Sequence, residues 1–126
     1  MRKSRKPLRN LLRAQLPSET TETIWTLLRQ LLTLVEDAGA AEFTLFDRFG
    51  ETEETIPYLE ELKGVALDAA SRYAQLANIQ LRITEAKPIA PNDMLRLLYQ
   101  AINQNQLRIP ALEGCIQEIK IEWNLP

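Results

Sequence analysis

Between Ile24 and Val35 the apolar side chains recur at a spacing that a helix gathers onto one side. Ile24, Leu27, Leu28, Leu31, Leu32 and Val35 fall on one face, and Trp25 and Leu34 widen it. A face this wide is normally buried against two neighbours, so the rest of the chain must supply them. Ser18 is placed to cap the segment. Glu19 and Glu22 follow in the first turn, where the helix dipole favours acids. Ala38-Gly39 offers an ending, because glycine accepts the left-handed position past a helix. A helix over 19–38 is expected.

The remaining segments suggest a mixed fold. Phe43 and Leu45 alternate with Thr44 and Phe46, which predicts a short strand over 42–47 and a turn at Phe49-Gly50. Thr55 is placed to cap a second helix with Pro57 in its first turn. That helix carries Leu59, Leu62, Ala66, Ala69, Ala70, Tyr73 and Ala77, with Gly64 inside it. Its small residues suggest close approach to a neighbour. Ile79, Leu81 and Ile83 alternate with Gln80, Arg82 and Thr84, the pattern of a strand with one buried face over 79–85. Pro88 and Pro91 bound a loop, after which Asn92 or Asp93 can cap a helix bearing Met94, Leu95, Leu98, Tyr99 and Ile102. Asn103–Gln106 would end that helix, and Pro110 and Gly114 would frame a turn. Ile119, Ile121 and Trp123 alternate with charged residues in a last strand. The expected class is α+β: a two-layer sandwich of a small, about three-stranded sheet with helices on one face.

Ahead of this body lies a segment of different character. Pro7 suits the first turn of a helix, Leu8, Leu11, Leu12 and Leu16 share a stripe, and Pro17 stops it. Arg2, Lys3, Arg5, Lys6, Arg9 and Arg13 accompany the stripe with no acid among them. The rest of the chain holds all seventeen acids against nine bases. Nine of those acids lie between Glu36 and Glu61, opposed there only by Arg48. The division expected is a basic amphipathic arm over 1–17 and one helix-rich domain over 18–126. With 126 residues and 45% apolar composition, such a domain can bury a core without disulfides or metal.

Reaction chemistry is poorly represented. There is no histidine, the commonest general base and transition-metal ligand. The one cysteine, Cys115, cannot form an internal disulfide, and Glu113 and Glu118 beside it disfavour a thiolate. It is expected as a buried apolar residue near a strand start. The four glycines are too scattered to cradle a phosphate. Asp47, Glu51, Glu53 and Glu54 cluster around Gly50, but Arg48 and Phe49 occupy positions where a calcium loop needs ligands. No catalytic, metal or cofactor residue is assigned. The aromatics Trp25, Phe43, Tyr73 and Trp123 occupy apolar positions and are expected in the core.

These features favour a non-enzymatic protein-interaction module: an adaptor, assembly factor or accessory subunit. Arg2, Lys3, Arg5, Lys6, Arg9 and Arg13 would meet an acidic partner, and Asp47, Glu51, Glu53 and Glu54 a basic one. The alternative is a nucleic-acid accessory protein binding through residues 1–16, which the acidic body opposes. A homo-oligomer is compatible, because the 24–35 face exceeds what one small sheet covers. An enzyme would need two of Asp47, Glu51, Glu54, Glu61 and Asp68 to converge in the fold. No run is long enough for a membrane span, and no leader pattern follows the basic start, so a cytoplasmic location is expected.

Overall fold

The wide apolar face of 24–35 does find two neighbours, and both are helices. The computed structural model describes residues 18–86 and 90–126, in which three long helices follow one another: α1 (Ser18–Phe49), α2 (Ile56–Glu85) and α3 (Asn92–Glu122). Each packs on the other two. Phe49 at the end of α1, Tyr58 at the start of α2 and Trp123 just after α3 meet at one end of the bundle. The chain therefore runs up, down and up, as short connections between helices favour.

One periodicity runs through all three helices. In α1 the buried residues Ile24, Leu27, Leu31, Leu34, Ala38, Ala41 and Leu45 step by alternating threes and fours. In α3 Leu98, Ile102, Asn105, Ile109, Leu112, Ile116 and Ile119 do the same. In α2 Leu62, Ala69, Leu76 and Ile83 repeat every seven residues. The half-buried Ala66 and Tyr73 pack between them. This alternation is the seam of helices crossing at shallow angles. Its apolar members form one continuous core. Ala69 is fully buried, as its size suggested, whereas Ala70 and Ala74 are exposed.

The expected α+β sandwich is overturned: there is no strand or sheet among the described residues. Residues 42–47 continue α1, where Leu45 points into the core while Phe43 and Phe46 lie on the surface. Residues 79–85 finish α2, with Ile83 buried, Ile79 half-buried and Leu81 exposed. Residues 119–122 finish α3, with Ile119 buried and Ile121 exposed. A strand would have put Ile79, Leu81 and Ile83 on one side. Over five or six residues, apolar alternation fits a strand and a helix flank equally. The seam residues on the N-terminal side decide for the helix.

The expected breakers do not break. Gly39 lies inside α1, and Asn103–Gln106, Pro110 and Gly114 lie inside α3. At the true ends the backbone is satisfied locally. Gly50 takes φ 75° and donates its N–H to the Phe46 carbonyl at 2.8 Å. Thr52 and Thr55 then exchange bonds reciprocally: the Thr52 N–H donates to Thr55 Oγ1 at 2.8 Å, and the Thr55 N–H to Thr52 Oγ1 at 3.1 Å. The exchange has the form of a capping box, with threonine in place of the usual glutamate, but it lies in the turn ahead of α2; Thr55 holds the capping position without the side-chain cap bond expected of it. The Thr55 hydroxyl also donates to the Gly50 carbonyl at 2.7 Å, and Thr55 is buried. The caps expected at Asn92 or Asp93 do not form, because Pro91 holds the capping position and both residues are already helical. After α3, Asn124 adopts φ 54° and the Leu125 N–H reaches the Lys120 carbonyl at 2.8 Å. That closes the helix in a Schellman turn. The expected arm helix and Pro88 lie outside the described residues. No helix among the described residues is long and apolar enough to cross a membrane.

Candidate docking surface

The chemistry-bearing residues fall into three settings along the bundle. On the α2–α3 seam, Asp68 accepts from Arg72 Nε at 2.8 Å and from Arg108 Nε of α3 at 3.0 Å. Arg72 also donates to Oδ1 of the buried Asn105 at 3.3 Å. Partial burial pushes the Asp68 carboxyl upward, but the two guanidinium hydrogen bonds and their charges outweigh it, leaving its pKa below the ordinary value. With each of its oxygens accepting from an arginine, Asp68 ties two helices together.

Two turns nearer the start of α2, Cys115 of α3 donates its S–H to Glu61 Oε1 at 2.8 Å. This hydrogen bond, then burial and the carboxylate charge, push the thiol up to about 11. It is therefore protonated at neutral pH and a poor nucleophile. Cys115 is half-buried in mid-helix, not buried near a strand start as expected.

At the closed end of the bundle the Trp123 ring packs on Phe49, with centroids 5.1 Å apart, and on Tyr58 at 5.4 Å. The Tyr58 hydroxyl donates to Glu122 at 2.9 Å, which with burial and the nearby carboxylates raises its pKa. Arg48 reaches the Asn124 carbonyl at 3.4 Å. The indole N–H of Trp123 is buried with no hydrogen-bond partner among the described residues. The cluster is a hydrophobic plug where the three helices meet.

A different kind of surface lies between α1 and the start of α2. Phe43 is 70% exposed and Phe46 52%, and with Ile56 and Leu59 they line a groove of about 350 Å³. Glu42, Glu51, Glu60 and Lys63 form its rim, and Lys63 pairs with Glu42 at 3.6 Å. Gly39 contributes bare backbone, and a β-carbon there would meet nothing within 4 Å. Exposed aromatics in a concave, charged frame are what a docking surface presents. Trp25, half-exposed, stands further along α1 on the same outer side.

The expected partner-binding acids are separated by this arrangement. Glu51 belongs to the groove rim, whereas Glu54 lines the hollow beside Tyr58 and Trp123. Asp47 and Glu53 are exposed around the turn. With Glu61 held by Cys115 and Asp68 by two arginines, the acids that an enzyme would need occupy distinct settings. No group of three or more metal-binding side chains occurs among the described residues. Arg2, Lys3, Arg5, Lys6, Arg9 and Arg13 lie outside the described residues.

Sequence reasoning missed Phe43, Phe46 and Ile56, and expected Trp25 and Phe43 in the core. The signal was present in the helical count. Trp25, Leu32, Gly39 and Phe46 are seven apart with Phe43 between, a second stripe beside the core stripe. No family model matches the chain, and no curated protein or solved structure is significantly similar to it.

Proposed function

We propose that the protein is a non-catalytic interaction module, an adaptor, assembly factor or accessory subunit, and that it receives a basic, apolar segment of a partner in the groove between α1 and α2. The observation that carries this reading is the pair of exposed phenylalanines, Phe43 and Phe46, framed by Glu42, Glu51 and Glu60. Large aromatics supply most of the binding energy at interfaces, and rim charges select and orient the partner. An amphipathic helix with basic residues flanking its apolar stripe satisfies both requirements. Asp68 is tied to two arginines and Glu61 to a thiol, which supports binding over catalysis.

A photo-crosslinker placed at Gln75, on the exposed part of α2, and another at Ile56 distinguish the groove from the general surface in native extract. Stoichiometric capture from Ile56 alone, lost in a Phe43→Asp/Phe46→Asp variant, is the expected result. Absence of any stoichiometric product at both low and moderate salt would refute the module. If nucleic acid binds through residues 1–16 instead, affinity falls steeply with salt and is indifferent to the phenylalanines.

A further inference from the structure

The outer stripe of α1 is longer than the groove. Trp25, Leu32, Gly39 and Phe46 repeat every seven residues with Phe43 beside them, and all five are exposed. A run of about 32 Å at 1.5 Å per residue is the contact face of a long helix pair rather than the seat of a short peptide. The residues at its two ends differ in charge. The Phe43/Phe46 end is bordered by Glu42, Asp47, Glu51 and Glu60. Past the Ser18 end, the chain continues into six bases with no acid, interleaved with Leu8, Leu11, Leu12 and Leu16.

This basic segment has the chemistry the groove calls for, but it cannot reach the groove of its own molecule as a helix. Ser18 and Phe43 are separated by about 37 Å of continuous helix, and a helix over 7–16 spans only about 15 Å. Stretching it out would scatter its leucines off their common stripe. A second copy lying antiparallel along α1 removes the mismatch. Setting Trp25 against the Leu32 of the second copy also sets Leu32 against that copy's Trp25. The same count brings Gly39 opposite Ser18, so the segment ahead of Ser18 leaves toward the Phe43/Phe46 end of the second copy.

We propose that this face pairs with a second copy of the chain, antiparallel along α1, seating the basic segment 7–16 of each copy in the acid-rimmed Phe43/Phe46 groove of the other. The pairing is isologous, so the two arm–groove contacts are equivalent. It rests on reading the groove as a docking surface, and it names the occupant.

The test uses full-length purified protein and two charge-reversed variants. One reverses the arm (Arg9→Glu, Arg13→Glu), and the other reverses the rim (Glu51→Lys, Glu60→Lys). Light scattering coupled to size exclusion is run at low and moderate salt, after circular dichroism shows equal helix content. The wild-type chain is expected at twice the 14.4 kDa of one chain, with the dimer weakening as salt rises. Each variant alone is expected at one chain mass, because its arm and rim carry the same sign. Mixed one to one, the variants are expected to restore the double mass, because each arm then meets a rim of opposite sign. Wild-type protein of single mass overturns the proposal, as does a dimer that persists unchanged in both variants, or a mixture that stays at single mass. Capture of a foreign partner in extract is a separate readout. It decides the adaptor reading whether or not the purified chain pairs with itself.

Discussion

Asn105 and Cys115 show how a polar atom in this core is accommodated or disarmed. Asn105 occupies a seam position where every other residue from Leu98 to Ile119 is apolar, and its side chain accepts from Arg72. A lone polar residue at such a position fixes how facing helices register. Asn105→Leu therefore removes the tie to Arg72 while filling the core. It is expected to change the unfolding free energy from urea titration by less than about 1.5 kcal/mol, with broadened side-chain resonances reporting lost register. For Cys115, the raised pKa makes alkylation by iodoacetamide slow at pH 8. Glu61→Gln removes the carboxylate and should speed labelling several-fold, measured by mass spectrometry. Asp68 supplies a pH dependence of determinate sign. Its pKa is lowered in the folded state from the ordinary 3.8, so its stabilisation is present above that value and is lost as the pH falls through the folded pKa. Asp68→Asn should flatten the acid limb of the stability curve while lowering stability at neutral pH, as followed by urea titration.

At the scale of the element, α1 and α3 outlast the residues expected to end them. Gly64 and Gly114 sit on exposed helix faces where an added β-carbon meets nothing within 4 Å. Alanine at each is expected to raise stability by about 0.5–1 kcal/mol, seen as a higher denaturation midpoint. Pro110 lies inside α3, where it removes the N–H that would bond to Gln106, and its own side chain is exposed. The buried residues Ile109, Leu112 and Ile116 hold α3 against the bundle on both sides of it. Tertiary packing thus outweighs a local preference of about 3 kcal/mol against proline. The reciprocal Thr52–Thr55 exchange is the counterpart at a true boundary. Thr52→Ala is expected to lose about 1 kcal/mol, because the Thr55 N–H then has no acceptor from that hydroxyl.

For the whole molecule, the consequence of three seams meeting is a core that needs no sheet. Far-ultraviolet circular dichroism should show the double minimum of a helical protein, and a spectrum with substantial strand content would contradict the bundle. Leu62→Ala, at a fully buried position, should cost about 2–5 kcal/mol in the unfolding transition. The bundle leaves the outer stripe of α1 uncovered, and it is at this scale that charge acquires a meaning. Acids of the α1–α2 end surround an aromatic groove, while the bases lie in the segment ahead of Ser18. Together they give one chain both halves of the interface proposed above.

The sequence by itself determined the wide apolar stripe of 24–35, a turn at Phe49-Gly50, the proline in the first turn of α2 and the segregation of charge. These are local properties, set by side-chain spacing, by the φ a glycine tolerates and by composition. For Cys115 the sequence held only the smaller contribution of Glu118; the hydrogen bond to Glu61 of α2, the principal cause of its raised pKa, came from the tertiary structure. Only the tertiary structure decided that 42–47, 79–85 and 119–122 are helical, because a short alternating stretch has no preference strong enough to resist the seam running into it. It also decided that Phe43 and Phe46 face outward while Ala38 and Ala41 face inward. Hydrophobicity alone ranks the phenylalanines first for burial. The helical register puts the small residues inside instead, because Ala38 and Ala41 fall on the seam between Leu34 and Leu45 while Phe43 and Phe46 fall beside it. The groove exists because of that exchange.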